Sequence, residues 1–294
     1  MTCYKKQKMN KLATLKRHLT AADIYQVPPA DAKYASKCYF PSSSYLKVPV
    51  LSIQQHTSNT KIIKFGLPPS TSLTLPVSSC IMLESPFDDA AKPYNPISSN
   101  SVTGSFSLLI KQNENGTVSK FAGDLRVGDS VGFCQFKGNI KSFQYPFPNV
   151  NKITMVCTGT GITPHFQALL PLLESNDTTE IKLIFGNKTY KDILLYNELN
   201  KMEAMSQGRL KITYVVGSHE NDTTYSNGGE IETGWINFEK IQRLAFPAST
   251  INSRIWICGV PGLYNSMAGS RKDPMTADSI LARLGYKEEQ VWRS

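Results

Sequence analysis

Within this chain of 294 residues, Thr158-Gly159-Thr160-Gly161-Ile162-Thr163-Pro164 follows the apolar run Ile153-Thr154-Met155-Val156-Cys157. Glycine turns a chain sharply at low steric cost, so the spacing predicts a strand that breaks into a tight turn. Thr163 is then the expected N-cap of a helix and Pro164 its first residue. A helix start with unbonded N–H groups beside a glycine turn attracts anions, and in α/β sheets ligands gather at the carboxyl ends of strands. Holding a nucleotide phosphate is therefore the chemistry expected of Gly159, Thr160, Gly161 and Thr163. A plain βα turn is the competing reading, because short glycine motifs recur by chance.

Three further constellations carry chemistry. Lys92-Pro93-Tyr94-Asn95-Pro96-Ile97-Ser98 sets a cation, a flat aromatic and a hydrogen-bonding amide on one extended segment. Lys92 can hold a diphosphate, Tyr94 can pack on a tricyclic ring, and Asn95 can bond that ring's edge. An ordinary proline loop with a surface tyrosine would contain the same residues. Gly116-Thr117-Val118-Ser119 comes after a strand ending at Lys111 and offers turn amides and the Ser119 hydroxyl to phosphate oxygens. Cys258-Gly259-Val260-Pro261-Gly262 again ends an apolar strand in glycine and proline, and its thiol would face the same crevice as Gly161. Burial as a small apolar residue is the commoner fate of a cysteine. No convincing histidine–carboxylate pair points to general base catalysis, and His165 is expected to pack on its helix.

The elements that must position these residues fall into two textures. From Tyr45 to Phe136, short alternating runs are broken by Pro, Ser and Gly, which predicts an antiparallel β-barrel or sandwich. Its strands are expected near Lys47–Leu51, Lys61–Phe65, Ser79–Leu83, Ser105–Lys111 and Ser130–Phe133, with proline turns at Leu67-Pro68-Pro69 and Leu75-Pro76. From Lys152 onward, apolar strands alternate with helical stretches, the pattern of an α/β domain with a parallel sheet. Strands are expected at 153–157, 181–185, 210–216 and 254–258, with helices near 165–174, 194–206, 238–244 and 277–284. The organisation is thus a basic leader at 1–44, a barrel at 45–140, a linker at 141–151 carrying Pro146 and Pro148, and the α/β domain at 152–294.

Composition narrows the function further. The net charge is +9, yet Lys5, Lys6, Lys8, Lys11, Lys16 and Arg17 precede the first acid, Asp23. Without those six, 26 basic residues face 23 acidic ones, and no basic stripe interleaved with aromatics suggests a nucleic-acid surface. The six cysteines are scattered, without a C-x-x-C pair or a histidine cluster, which argues against a zinc site and a disulfide framework. The Asn-x-Thr triplets at Asn115, Asn176, Asn187 and Asn221 would matter only in a secreted protein. No apolar stretch approaches the roughly 20 residues that cross a bilayer. The leader's first stretch, Met1 to about Leu19, is Lys-rich and acid-free, with Met9, Leu12, Leu15 and Leu19 at helix-like spacing, which suits organelle targeting; a solvated basic arm is the alternative.

Taken in order, Lys-Pro-Tyr-Asn-Pro-Ile-Ser, Gly-Thr-Val-Ser, Gly-Thr-Gly-Ile-Thr-Pro and Cys-Gly-Val-Pro-Gly resemble the motif series of the cytochrome b5 reductase family in the ferredoxin-reductase superfamily. Asn59-Thr60-Lys61, Leu75-Pro76-Val77, the run from Phe185 to Leu195 and the ending Leu284 to Trp292 extend the similarity over about residues 46 to 292. These pieces look closest to the mitochondrial branch, so a mitochondrial location is expected, otherwise a cytoplasmic one. The resemblance implies an FAD-binding barrel of ferredoxin-reductase type, then an NAD-binding domain, with the flavin ring at their junction.

Carried across residue by residue, the resemblance implies that Lys92, Pro93, Tyr94 and Asn95 contact the flavin and its diphosphate, with Leu109 and Lys111 nearby. Gly116, Val118 and Ser119 would hold the diphosphate. Gly161 would line the nicotinamide channel, Gly159, Thr160 and Gly259 would be further cofactor-binding residues, Thr163 would approach the isoalloxazine, and Cys258 would sit near the reacting carbon of the nicotinamide. The implied activity passes hydride from NADH or NADPH to FAD and then single electrons to a haem protein such as cytochrome b5. Several positions depart from the family pattern: Lys92 replaces a usual Arg, Asn95 a usual Thr or Ser, Asn113 a common aromatic, and Gly217 the acid of NADH-preferring relatives. Val260 and Ser294 also replace the usual Pro and Phe. Those departures support a second reading, an accessory subunit that keeps the reductase fold without turnover.

Overall fold

The computed structural model describes residues 38–87, 90–136, 145, 147, 149–174, 177–217 and 229–294. Residues 1–37 of the leader, most of the expected linker, Asn176 and the Asn221 triplet lie outside the described residues. Contacts divide the chain into two units, one running to Pro148 and including Phe166–Ser175, the other formed by Asn149–His165 and Asn176–Ser294.

The first unit contains β1 (Leu46–Thr57), β2 (Thr60–Gly66), β3 (Ile81–Glu84), β4 (Ala91–Tyr94), β5 (Ser105–Lys111), α1 (Thr117–Asp124) and β6 (Ser130–Gln135). The strands pair antiparallel in the order β4-β3-β6-β1-β2-β5. The two ends of this order then meet, because Pro96 bridges to Leu108 and the Ile97 amide donates to the Ser107 carbonyl at 2.9 Å. The sheet therefore closes as a barrel, which leaves no long open edge. Alternation along β5 sends Phe106, Leu108 and Ile110 into the barrel core and leaves Ser107, Leu109 and Lys111 on the opposite face. Phe40, Phe65, Phe106 and Phe133 fill that core, with ring centroids 4.9 to 5.6 Å apart. Pro68 and Pro76 sit in the expected turns, their carbonyls accepting from the amides of Thr71 and Ser79 at 3.1 Å.

From Lys152 onward, β7 (Lys152–Thr158), α2 (Ile162–Glu174), β8 (Glu180–Asn187), α3 (Tyr196–Met205), β9 (Leu210–Val216), β10 (Glu230–Thr233), α4 (Phe238–Leu244), β11 (Ser253–Cys258), α5 (Pro261–Met267), α6 (Ile280–Arg283) and β12 (Val291–Arg293) succeed one another in chain order; all belong to the second unit except α2 from Phe166 on. All six strands are parallel, in the order β10-β9-β8-β7-β11-β12. A parallel sheet covered on both faces has strands buried on both sides, which is why β7, β8, β9 and β11 read as near-continuous apolar runs. Val156, Ile184, Val215, Ile255 and Ile257 form one side of the core with Ile241 and Met267. The alternate positions Cys157, Phe185 and Tyr214 stand in register on the other face.

Three local expectations change. Gly116–Ser119 is not a bare turn but the start of α1, with Gly116 at the N-cap. Thr163 is not an N-cap: a single 3₁₀ turn over Gly159–Gly161 runs directly into α2, which begins at Ile162. The Thr163 hydroxyl instead donates back to the Thr160 carbonyl at 3.0 Å, tying the helix start to the turn before it. Pro164 then falls inside the first turn, where its missing N–H still costs no intrahelical bond.

Candidate functional site

In the first unit, the closure of the barrel gathers the barrel-side constellations. Lys92 and Tyr94 are two residues apart on β4 and so point to one face, with Lys92 exposed and Tyr94 half-buried. β4 is registered on β3 through Leu83↔Lys92 and Ile81↔Tyr94. Burial pushes the Tyr94 phenol up to about 12, so it stays a neutral ring with an intact hydroxyl at any physiological pH. The Asn95 side-chain amide donates to the Ser79 carbonyl at 2.9 Å, which fixes its orientation and leaves its oxygen to accept. The Pro96↔Leu108 bridge lays this segment beside β5, whose outward residues are Leu109 and Lys111.

Beyond Lys111 the chain enters the turn at Gly116, whose amide donates to the Asn113 carbonyl at 3.0 Å. The Lys120 amide makes the first helical bond, to the Gly116 carbonyl at 2.9 Å, so Thr117, Val118 and Ser119 present amides without intrahelical acceptors. A Cβ on Gly116 would stand 2.5 Å from the Ser119 hydroxyl, so a larger residue there would displace that hydroxyl from its bonds. The Ser119 hydroxyl accepts from the Asn113 amide at 3.2 Å and donates to the Gly116 carbonyl at 3.3 Å, clamping the loop to the helix. Free amides at a helix start beside an open glycine suit a diphosphate. With an exposed lysine, a half-buried flat phenol ring and an oriented carboxamide, the residues present fit FAD. Buried Ser79 Oγ, without a hydrogen-bond partner among the described residues, adds an unused polar group beside Asn95.

In the second unit, two strand ends interlock at the carboxyl edge of the sheet. β7 and β11 are registered up to Cys157↔Cys258. A Cβ on Gly161 would lie 2.2 Å from the Cys258 carbonyl oxygen, and one on Gly259 would lie 2.2 Å from Thr158 Oγ1. Each turn therefore requires a glycine where it meets the other. Thr158 Oγ1 accepts from the Val260 amide at 3.3 Å, tying the β11–α5 turn to the end of β7. Gly159 takes φ of +51° with open space around its would-be Cβ, a left-handed conformation that glycine adopts without strain.

Beside this edge a cavity of about 300 Å³ is lined by Gly259, Pro261, Tyr264, Asn265, Ser270 and Arg271. Tyr264 donates its hydroxyl to the Ser294 carbonyl oxygen at 2.5 Å and accepts from the Gly259 amide at 3.4 Å, while the Arg271 guanidinium lies 5.9 Å from its ring centroid. Burial, and after it the neighbouring Cys258, raises the Tyr264 phenol. Sequence reasoning does not single out Thr158, Tyr264 or Arg271. The position of Tyr264 within the first turn of a helix opening from Pro261 is the available signal. His165 is fully buried, with Nε2 3.4 Å from the Val156 carbonyl and its ring 6.4 Å from that of Trp256, so it packs as expected. Burial lowers its pKa to about 4, and it is a neutral imidazole in the folded state.

A closed antiparallel barrel with a diphosphate-type helix start, joined in one chain to a parallel sheet with a glycine-rich carboxyl edge, defines a flavin- and nicotinamide-dependent oxidoreductase. Residues 47–145 match the oxidoreductase FAD-binding domain, and residues 155–268 the oxidoreductase NAD-binding domain. NADH-cytochrome b5 reductase 2 of Kluyveromyces lactis is 30% identical over 266 residues, spanning 88% of this chain and 86% of that one. An NADH-cytochrome b5 reductase-like protein of Arabidopsis thaliana is 33% identical over 248 residues, covering 80% and 72%. The solved cytochrome b5 reductase domain of Ulva prolifera nitrate reductase superposes with a TM-score of 0.73 at 23% identity, over 87% of this chain and 100% of that one. The chain belongs to the NADH-cytochrome b5 reductase family and is an NAD(P)H-dependent FAD oxidoreductase.

Proposed function

We propose that the protein carries electrons from NADH, or NADPH, through FAD to a haem protein of the cytochrome b5 type, and that it does so in the mitochondrion. The observation that carries the reading is the helix start at Gly116–Ser119, a cradle of backbone amides whose helix packs on β5, the strand that β4 also meets. FAD, when bound, supplies the conversion of a two-electron donor into single-electron steps. The chain's own residues bind and orient. Lys92 neutralises diphosphate charge as a point cation, without the two-pronged geometry of arginine. The first-turn amides of α1 and the Ser119 clamp hold phosphate oxygens, and Leu109 and Lys111 support the same face. Pro93 fixes the backbone that presents Tyr94, whose ring gives a flat apolar surface, and the Asn95 oxygen accepts from a ring-edge N–H.

For the nicotinamide nucleotide, Gly159, Thr160, Gly161 and Gly259 leave backbone surface open to a close-lying ligand. Thr163 steadies that turn from inside α2, and Cys258 presents its thiol at the edge where the nicotinamide would lie. Gly217 offers no carboxylate to the ribose hydroxyls, so the reading includes both nucleotides. The names of the relatives support the acceptor, and the Lys-rich, acid-free stretch from Met1 to about Leu19 supports the location.

Steady-state reduction of cytochrome b5 by the purified protein tests the acceptor and the donor together. Turnover with NADH or NADPH that depends on FAD is expected. Flavin reduction without any cytochrome b5 reduction would overturn the acceptor. Fractionation of expressing cells that finds the full chain outside mitochondria would overturn the location.

A further inference from the structure

Cys157 and Cys258 are the last facing pair of β7 and β11, two neighbouring parallel strands. In-register residues on adjacent strands send their side chains to the same face of the sheet, and such strands are about 4.8 Å apart. That spacing lies inside the window of roughly 4.4–6.8 Å between the Cα atoms of disulfide-bonded cysteines. The two thiols sense one another electrostatically. They differ sharply in access: Cys157 is completely buried, whereas Cys258 is part-exposed at the carboxyl edge, next to the cavity at Gly259. The Tyr264 hydroxyl lies within hydrogen-bonding reach of Cys258. The strand ends approach closely where Gly161 faces the Cys258 carbonyl and Gly259 faces Thr158, and the Val260 amide, donating to Thr158 Oγ1 at 3.3 Å, ties them.

We infer that Cys157 and Cys258 form an oxidative modification site, in which a hydroperoxide oxidises Cys258 and Cys157 then closes a reversible cross-strand disulfide. In the first step the Cys258 sulfur attacks the peroxide oxygen, the O–O bond breaks, and the products are a cysteine sulfenic acid and the alcohol, or water when the oxidant is hydrogen peroxide. In the second step the Cys157 sulfur attacks the Cys258 sulfur, the S–O bond breaks, and one water leaves with the Cys157 proton. Overall, two thiols are oxidised and one hydroperoxide is reduced. Burial raises the Cys157 thiol well above its ordinary range, so Cys157 is the slow partner and reacts only with a sulfur already activated beside it. Exposure assigns the two roles: Cys258 meets the oxidant and Cys157 resolves it.

The cross-link does not depend on the function proposed above. The holoprotein is treated with hydrogen peroxide, blocked with an alkylating agent and digested with trypsin without reductant. A linked pair of peptides, Ile153–Lys182 and Ile255–Arg271, lighter by two hydrogens than the sum of its parts and separated by dithiothreitol, is expected. In Cys157→Ala the link disappears and a dimedone adduct accumulates on Cys258, with loss of the reversibility by dithiothreitol. Cys258 driven to sulfinic acid while Cys157 remains alkylatable in the wild-type chain would overturn the inference, as would a Cys258 that stays a thiol. Because peptide masses are read directly, a protein with no reductase activity could still show the link, and an active reductase could lack it.

Discussion

Gly161 and His165 stand four residues apart and are constrained by different physics. A methyl group on Gly161 would overlap the Cys258 carbonyl, a backbone atom that cannot swing aside. Gly161→Ala is therefore expected to force β7 and β11 apart at their ends, costing about 1–3 kcal/mol in urea unfolding and weakening NAD⁺ binding in a calorimetric titration. Unchanged stability would show that the strand ends tolerate the spread. His165 carries the opposite kind of burden, a titratable ring with no water around it. Its folded-state pKa of about 4 lies below the 6.5 of the unfolded chain, so its contribution to stability is complete above pH 6.5 and is lost as pH falls toward 4. The loss is of the order of 3 kcal/mol at most, from the free energy of about 1.4 kcal/mol per pKa unit. Unfolding midpoints of wild type and His165→Met between pH 7 and 4.5 should diverge, with the wild type falling more steeply; parallel profiles would contradict the burial argument. Glycine in the Thr158–Pro164 run is legible as a turn because the residue type states its own conformational freedom. The contact that makes Gly161 obligatory is not legible, because its partner lies nearly a hundred residues away on β11.

At the level of elements, α1 illustrates how a local motif gains meaning from its neighbours in the chain. Gly116-Thr117-Val118-Ser119 reads as a phosphate-binding turn, and its amides do converge, but they converge because they open an eight-residue helix. The helix escapes sequence reading because it carries neither an acidic first turn nor a basic last turn, and its N-cap is a glycine without a side-chain bond. Removing the Ser119 clamp in Ser119→Ala should cost about 1 kcal/mol in the holding of FAD, roughly a fivefold rise in its dissociation constant by fluorescence titration, with Ser119→Thr retaining more of it. α4, in the second unit, offers a control. Asn237 Oδ1 accepts from the Lys240 amide at 3.0 Å, so Asn237→Ala should lower stability by about 1 kcal/mol while FAD content per chain stays constant. The residue pattern locates β2, β5 and β9 nearly to the residue, since their alternation or apolar continuity is a direct consequence of burial. It misses β10 and β12: two half-buried residues between two exposed ones, and three half-buried residues, leave no periodic signal to detect.

Across the whole molecule, two units each bring a distinct part of the chemistry. The first closes a barrel that carries Lys92, Tyr94 and Asn95 on and just after β4 and Gly116–Ser119 after β5, and the second interlocks two glycine turns at the edge of a parallel sheet. The change of texture near residue 150 announces that division, because alternating runs and continuous apolar strands demand different layers of cover. Topology is less accessible from the chain alone: the bridge between Pro96 and Leu108 that closes the barrel joins positions no periodicity relates. The substitutions at Lys92 and Asn95 keep charge or hydrogen bonding, whereas Asn113 gives up the stacking of an aromatic; its backbone still bonds Ser119 and Gly116, and a protein with that cradle should retain its flavin. The most direct measurement is the visible spectrum of the purified full chain, supplied with FAD and then with NADH under anaerobic conditions. Bands of oxidised, protein-bound flavin are predicted, bleached on addition of the nucleotide. A protein that stays colourless after incubation with FAD and removal of the excess, or whose flavin bands persist in the presence of both NADH and NADPH, would contradict flavin-dependent electron transfer by this chain.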